Sequence, residues 1–115
     1  MRKIVLDTNF LVNCVKFKID FFTELERICT FPYKIYVLDQ TLREIEQVKP
    51  KELGLLKIFL QKIEILKSEK DYVDDELIDL SSKVIIIATQ DQELKSKLKK
   101  PIIIIRQKKY LTLVE

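Results

Sequence analysis

Four consecutive isoleucines, Ile102 to Ile105, and the run Val84-Ile85-Ile86-Ile87-Ala88 constrain the fold of this chain more than any other feature. Short, β-branched runs with no polar residue at alternate positions are the pattern of strands buried on both faces, as in a parallel sheet covered by helices. Ile4-Val5-Leu6 is a third such segment, Lys34 to Leu38 reads as another strand, and Tyr110 to Val114 as an edge strand. Between them the apolar period changes to that of helices. Helices are expected over Phe10 to Phe17, over Asp20 to Cys29 with Asp20 as N-cap, and over Thr41 to Val48, stopped by Lys49-Pro50. Lys51 to Leu66 carries Leu53, Leu56, Phe59, Leu60 and Ile63 on one stripe, and Asp74 to Ser82 and Glu93 to Leu98 complete the set. Strands alternating with helices predict an α/β fold: a three-layer α/β/α sandwich around a central, mainly parallel sheet of four to five strands.

At 115 residues the chain is expected to form one domain, residues 1–115. No apolar stretch approaches the ~20 residues that span a bilayer, and Asp7 interrupts the apolar run behind Arg2-Lys3 too early for a signal peptide. A cytoplasmic protein with no membrane partner is expected. The reactive inventory is narrow: no histidine, and two cysteines, Cys14 and Cys29, in no metal-ligand or CxxC spacing. Histidine triads, histidine-based zinc sites and thioredoxin chemistry are excluded, and both thiols read as buried and free. The one glycine, Gly54, lies in a helical pattern, so there is no Gly-rich phosphate loop. If the chain is an enzyme, carboxylates do most of the work.

Asp7 closes the first strand and opens Asp7-Thr8-Asn9-Phe10-Leu11, and Asp91 follows the strand that ends at Thr89. Two strands thus deliver an acid to the same rim, the carboxyl edge where open α/β folds bind ligands. Ordinary capping competes with this reading residue by residue. Asp7 with Asn9 could form a turn and cap, Glu44 stands at capping-box spacing from Thr41, Asp74 and Asp75 suit a helix N-terminus, and Asp91 could cap the helix behind it. Capping does not, however, require acids to follow neighbouring strands. Carboxylates crowded on one rim raise each other's pKa unless a hard cation offsets the repulsion. Mg²⁺ and Mn²⁺ suit oxygen ligands, and such ions support phosphodiester hydrolysis without histidine.

The ordered set Leu6-Asp7-Thr8-Asn9-Phe10-Leu11, Thr41-Leu42-Arg43-Glu44-Ile45-Glu46, Asp74-Asp75-Glu76-Leu77-Ile78 and Ile87-Ala88-Thr89-Gln90-Asp91-Gln92-Glu93-Leu94 resembles the PIN-domain nucleases. The closing Pro101-Ile102-Ile103-Ile104-Ile105-Arg106 extends the likeness over nearly the whole chain. Its flavour is that of the small PIN proteins related to ribosomal-RNA processing nucleases, more than of the toxins of toxin-antitoxin pairs. The resemblance implies that Asp7, Glu44, Asp75 and Asp91 form the metal-binding catalytic cluster for Mg²⁺ or Mn²⁺. Asp75 is preferred to Asp74 because apolar Leu77 and Ile78 follow it at the family's spacing, and Asp74, Asn9 and Thr89 take supporting roles. The implied activity is a metal-dependent endoribonuclease acting on single-stranded or looped RNA, leaving a 5′-phosphate and a 3′-hydroxyl. The alternatives are a toxin-type ribonuclease and a non-catalytic RNA-binding or assembly component. The implied partners are RNA, an antitoxin or a ribosome-assembly component, and a second copy of the chain.

Charge is distributed unevenly. Residues 94 to 114 carry Lys95, Lys97, Lys99, Lys100, Arg106, Lys108 and Lys109 without an acid, whereas residues 1 to 93 hold 14 basic and 17 acidic side chains. This basic quarter is the expected RNA-binding segment, against the alternative of a solvated helix face and tail.

Overall fold

In the computed structural model, which describes residues 1–115, the N-terminal apolar run forms β1 (Arg2–Leu6). β1 lies at the centre of a six-stranded sheet, between β2 (Tyr33–Leu38) and β4 (Ile85–Ala88) and parallel to both. Parallel β3 (Glu64–Leu66) flanks β2; parallel β5 (Ile102–Arg106) flanks β4, and antiparallel β6 (Tyr110–Val114) closes that edge. The strand order β3-β2-β1-β4-β5-β6 reverses direction between β1 and β4.

Helices cover both faces, as the unbroken apolar strands require. Ile4, Leu6, Ile86, Ala88, Ile103 and Ile105 face the larger core. There they meet α1 (Thr8–Lys16), α2 (Phe21–Ile28), α3 (Asp39–Val48) and α4 (Leu53–Leu60) through residues such as Phe10, Leu25, Ile45 and Leu56. Val5, Leu38 and Ile87 point the other way, onto Val73 and Leu77 of α5 (Val73–Leu80) and Leu94 of α6 (Gln92–Lys97). Phe21 is fully buried in the larger core, its ring 4.3 Å from Phe22 and 5.5 Å from Phe59 between centroids. Phe21→Ala is expected to cost about 3–5 kcal/mol, seen as a lower urea midpoint at unchanged m-value; a loss under about 1 kcal/mol would contradict this packing.

The three-layer sandwich and the edge strand at Tyr110–Val114 agree with the sequence reading; the antiparallel direction of that strand comes from the structure. The exception is the segment Lys51 to Leu66, expected as one helix. α4 ends at Leu60, Lys62 N and Ile63 N donate to the Phe59 and Leu60 carbonyls in tight turns, and Glu64–Leu66 pairs with Tyr36–Leu38 as β3. The sheet therefore has six strands rather than four or five. The apolar stripe concealed the break, because Ile63 is still buried against the same core after the helix has ended. Asp20 caps α2 as expected, accepting from Thr23 N at 3.3 Å. The Thr41–Glu44 capping box does not form: α3 starts at Asp39, which places Thr41 inside the helix. Cys14 is buried, and burial pushes its thiol up to about 12, but Cys29 at the end of α2 is only half-buried.

Candidate active site

The strand order reverses between the paired strands β1 and β4, and a polar residue follows each at that edge, the position where open parallel sheets bind ligands. Asp7 is the first residue past β1. Its N–H donates to the Ala88 carbonyl at 2.9 Å, continuing the ladder and fixing the side chain at the rim. It stands at the N-cap of α1 without making a side-chain cap bond. Instead its Oδ2 accepts from the Thr89 hydroxyl at 2.8 Å, and the residue is 5% exposed. Burial, with the charges of Asp74 and Glu44, outweighs the hydrogen bonds from Thr89 and the Thr8 backbone and raises the Asp7 pKa from 3.8 to about 6.

Thr89 also accepts from Asp91 N at 3.1 Å, so one buried hydroxyl couples both acids. Asp91 caps α6, its Oδ1 accepting from Leu94 N at 3.0 Å, which leaves Oδ2 uncommitted. Gln90 between them brackets β5, donating to the Ile105 carbonyl at 3.2 Å and accepting from Ile105 N at 2.6 Å.

Glu44 is presented from α3. Thr8 Oγ1 lies 2.6 Å from Glu44 Oε1 and 3.2 Å from Thr41 Oγ1. A hydroxyl has one proton; that of Thr8 goes to the carboxylate, and buried Thr41 supports it from behind. Asn9, expected to orient the acids, is exposed and makes no side-chain hydrogen bond, so Thr8 does that work. The sequence reading passed over Thr8 and Thr41 because their partners are more than thirty residues apart along the chain.

The start of α5 supplies the remaining acid. The Asp74 pKa is raised by partial burial and by the charges of Asp91, Glu44, Asp75 and Glu93, in that order. Asp74, and not Asp75, is the α5 acid whose charge is felt at Asp7. Asp75 borders the cleft that holds Glu44 and Asp74 and also a second cleft with Glu69, Lys70, Asp71, Tyr72 and Asp79. Asp75, preferred from the sequence, thus shares a cleft with Glu44 and Asp74, while Asp74 is the more closely coupled to Asp7. One-residue steps on a helix rotate a side chain by about 100°, which residue spacing relative to Leu77 and Ile78 did not resolve.

The carboxylates Asp7, Glu44, Asp74 and Asp91 share the rim, yet no three acids converge on one point as a closed ligand cage. An all-oxygen set in which the Asp7 and Asp74 pKa values are raised fits a hard divalent cation, which takes one or two carboxylates and keeps several waters.

The seven basic residues are not gathered at this rim. Lys97 pairs with Glu93 at 3.6 Å, and Lys99 N donates to Ser81 Oγ at 3.0 Å, beyond the end of α5 remote from Asp74. Lys95 lies on α6 and Lys100 beyond it. Arg106 ends β5 at the rim side; Lys108 and Lys109 follow in the turn, with Lys108 Nζ 5.6 Å from the Phe17 ring centre at the far end of α1.

The profile of PIN-like domains matches residues 4–108, nearly the entire sheet with its crossovers. The chain belongs to the PIN-like domain family. This confirms the resemblance read from the four acidic segments, and with it the nuclease class. Ribonuclease VapC4 of Methanocaldococcus jannaschii is 35% identical, with 96% of this chain and 95% of that protein aligned. Among solved structures, the PIN-domain endonuclease Utp24 superposes with a TM-score of 0.81 at 24% identity, covering 96% of this chain and 90% of that one. VapBC2 from Rickettsia felis, bound to a DNA fragment from its promoter, superposes at 0.58 and 18% identity, covering 89% and 98%. At those identities the two structures speak for the fold. No helix is long and apolar enough to cross a membrane.

Proposed function

We propose that this PIN-family protein is a divalent-metal-dependent endoribonuclease whose centre is Asp7, Glu44, Asp74 and Asp91. The observation that carries the reading is a buried carboxylate at the switch point of the sheet, its pKa raised to about 6 with neighbouring acids contributing to the rise. The name ribonuclease on a relative aligned over nearly its whole length supports RNA as the substrate. Mg²⁺ or Mn²⁺ held there would supply Lewis-acid charge against the negative charge that develops on the phosphate and leaving-group oxygens and would lower the pKa of an attacking water. Asp7 and Asp74 are the groups whose charge such an ion would neutralise. Thr8 orients Glu44, and Thr89 holds Asp7 while tying down the backbone of Asp91. Arg106, the last residue of β5, and Lys109, in the turn behind it, are the basic residues nearest the carboxyl end of the sheet and would draw an RNA strand toward the rim.

The test is cleavage of a labelled unstructured RNA with Mn²⁺, with Mg²⁺ and with EDTA. Metal-dependent cutting is expected; cutting that persists in EDTA would refute the reading. Between a processing role and a toxin role, induction in cells decides. Growth arrest by the native protein that Asp7→Asn does not produce would indicate the toxin, and unimpaired growth the processing enzyme.

A further inference from the structure

Tyr72, immediately before α5, is 71% exposed, beside the acidic rim. A single exposed aromatic is ordinary; its surroundings are not. Tyr72 forms part of the wall of two clefts. One, of about 410 Å³, contains Glu44, Asp74 and Asp75, and the other, of about 530 Å³, contains Glu69, Lys70, Asp75 and Asp79. Both volumes are in the range of small-ligand sites, roughly 300–1,000 Å³.

The segment that presents the ring is fastened from three directions. Asp39 accepts from Ser68 N at 3.0 Å and from the Ser68 hydroxyl; these bonds, with Gln40 N and Arg43, hold the Asp39 pKa below its ordinary value. Gln40 donates to the Lys70 carbonyl, and Glu76, 4% exposed, accepts from Glu69 N. The Tyr72 carbonyl accepts from Glu76 N at 3.1 Å, closing the support onto α5. The other exposed tyrosine, Tyr110, has the Arg27 guanidinium 6.0 Å from its ring centre, and Arg2, Lys3 and Lys62 cover Phe31, Tyr36 and Phe22. Tyr72 has neither a cation nor a ring against it.

We propose that Tyr72 is the stacking platform for one unpaired nucleobase of the RNA, the base next to the phosphate that is cut. The inference rests on the ribonuclease reading. An aromatic with open faces on a tied-down segment binds a base by stacking, the usual way in which proteins seize unpaired nucleotides. The lining beyond it selects base over backbone. Glu69, Asp71, Asp75 and Asp79 outnumber Lys70, whose ammonium already lies 3.9 Å from Asp79, so a phosphate is repelled there while exocyclic amines meet carboxylate acceptors. Asp75 thereby has a place in the substrate cleft while also bordering the cleft of Glu44 and Asp74.

Binding is read first, in Ca²⁺, with a single-stranded RNA oligonucleotide carrying 2-aminopurine at successive positions. Quenching at one position by native protein and Tyr72→Phe, lost in Tyr72→Ala, is expected. Because the ring is exposed, the urea midpoint of Tyr72→Ala should equal that of the native chain. Absent quenching, or quenching that survives in Tyr72→Ala, overturns the proposal. Cleavage is read second, in Mn²⁺. Tyr72→Ala should raise KM roughly 5- to 100-fold and Tyr72→Phe about twofold or less. An abasic nucleotide at the quenched position should cost the native protein the same factor and Tyr72→Ala nothing more; equal costs in both proteins overturn the proposal. Quenching by a protein that cuts no RNA would retain the platform and refute the nuclease reading, so the two failures are distinguishable.

Discussion

Asp7→Asn is expected to make the metal-free protein more stable at pH 7.5 while reducing cleavage at least ~10²–10³-fold, the scale of losing one charged group from a preorganised site. The pKa of Asp7 rises from 3.8 to about 6 on folding. Between those values the folded state binds more protons than the unfolded state, so stability falls as pH rises through that window. Above pH 6 the full cost of ionising Asp7 in place is present, on the order of 3 kcal/mol from two pKa units at 1.36 kcal/mol each. Asparagine never ionises and can still accept from Thr89 through its carbonyl oxygen. Its advantage should therefore be largest above pH 6 and disappear toward pH 4. Bound metal offsets the cost of a buried carboxylate beside other acids, so Mn²⁺ should raise the melting temperature of the native protein and leave that of Asp7→Asn nearly unchanged. Thermal unfolding of both proteins from pH 4 to 8, with and without Mn²⁺, checks each part. A mutant destabilised at pH 7.5, or equal metal shifts in both proteins, would remove Asp7 from the centre proposed for it.

Thr89→Val is the second substitution with a large expected effect, and it separates positioning from catalysis. Valine keeps the buried shape but removes the donor to Asp7 and the acceptor for Asp91 N. Leaving a buried polar group unpaired costs ~1–3 kcal/mol of stability. The functional consequence has a definite sign. The Thr89 hydrogen bond is the largest influence lowering the Asp7 pKa, so without it the pKa climbs above 6 and the carboxylate form needed by a cation is reached only at higher pH. Activity near pH 7 should fall about 10–100-fold, as for loss of a group that orients a metal ligand, with the acid limb of the pH–rate profile displaced upward and partial recovery at alkaline pH. An acid limb that stays in place would show that Thr89 acts on Asp91 alone. Thr89→Ser, which restores the hydroxyl, should return the native profile.

Local chemistry determined much of this protein. Runs such as Ile102 to Ile105 have no polar face to leave in water, so a parallel sheet covered on both sides follows from the chain itself, and Asp7 and Asp91 must emerge where β1 and β4 end. The absence of histidine by itself leaves carboxylates as the available chemistry. Tertiary structure decided what depends on rotation and on distant partners. β3 exists because Glu64–Leu66 finds Tyr36–Leu38 to pair with, a gain invisible in a stripe whose period was helical up to Ile63. The placement of the α5 acids, Asp74 felt at Asp7 and Asp75 shared between the two clefts at Tyr72, is set by how Val73 and Leu77 seat the helix on the sheet. The basic segment, continuous in sequence, is divided because α6 carries Lys97 and Lys99 away from the rim before β5 returns to it. Thr8, Asp39, Gln40 and Glu76 acquire their roles only through partners that folding brings near, because a hydrogen bond depends on position in space and not on separation along the chain.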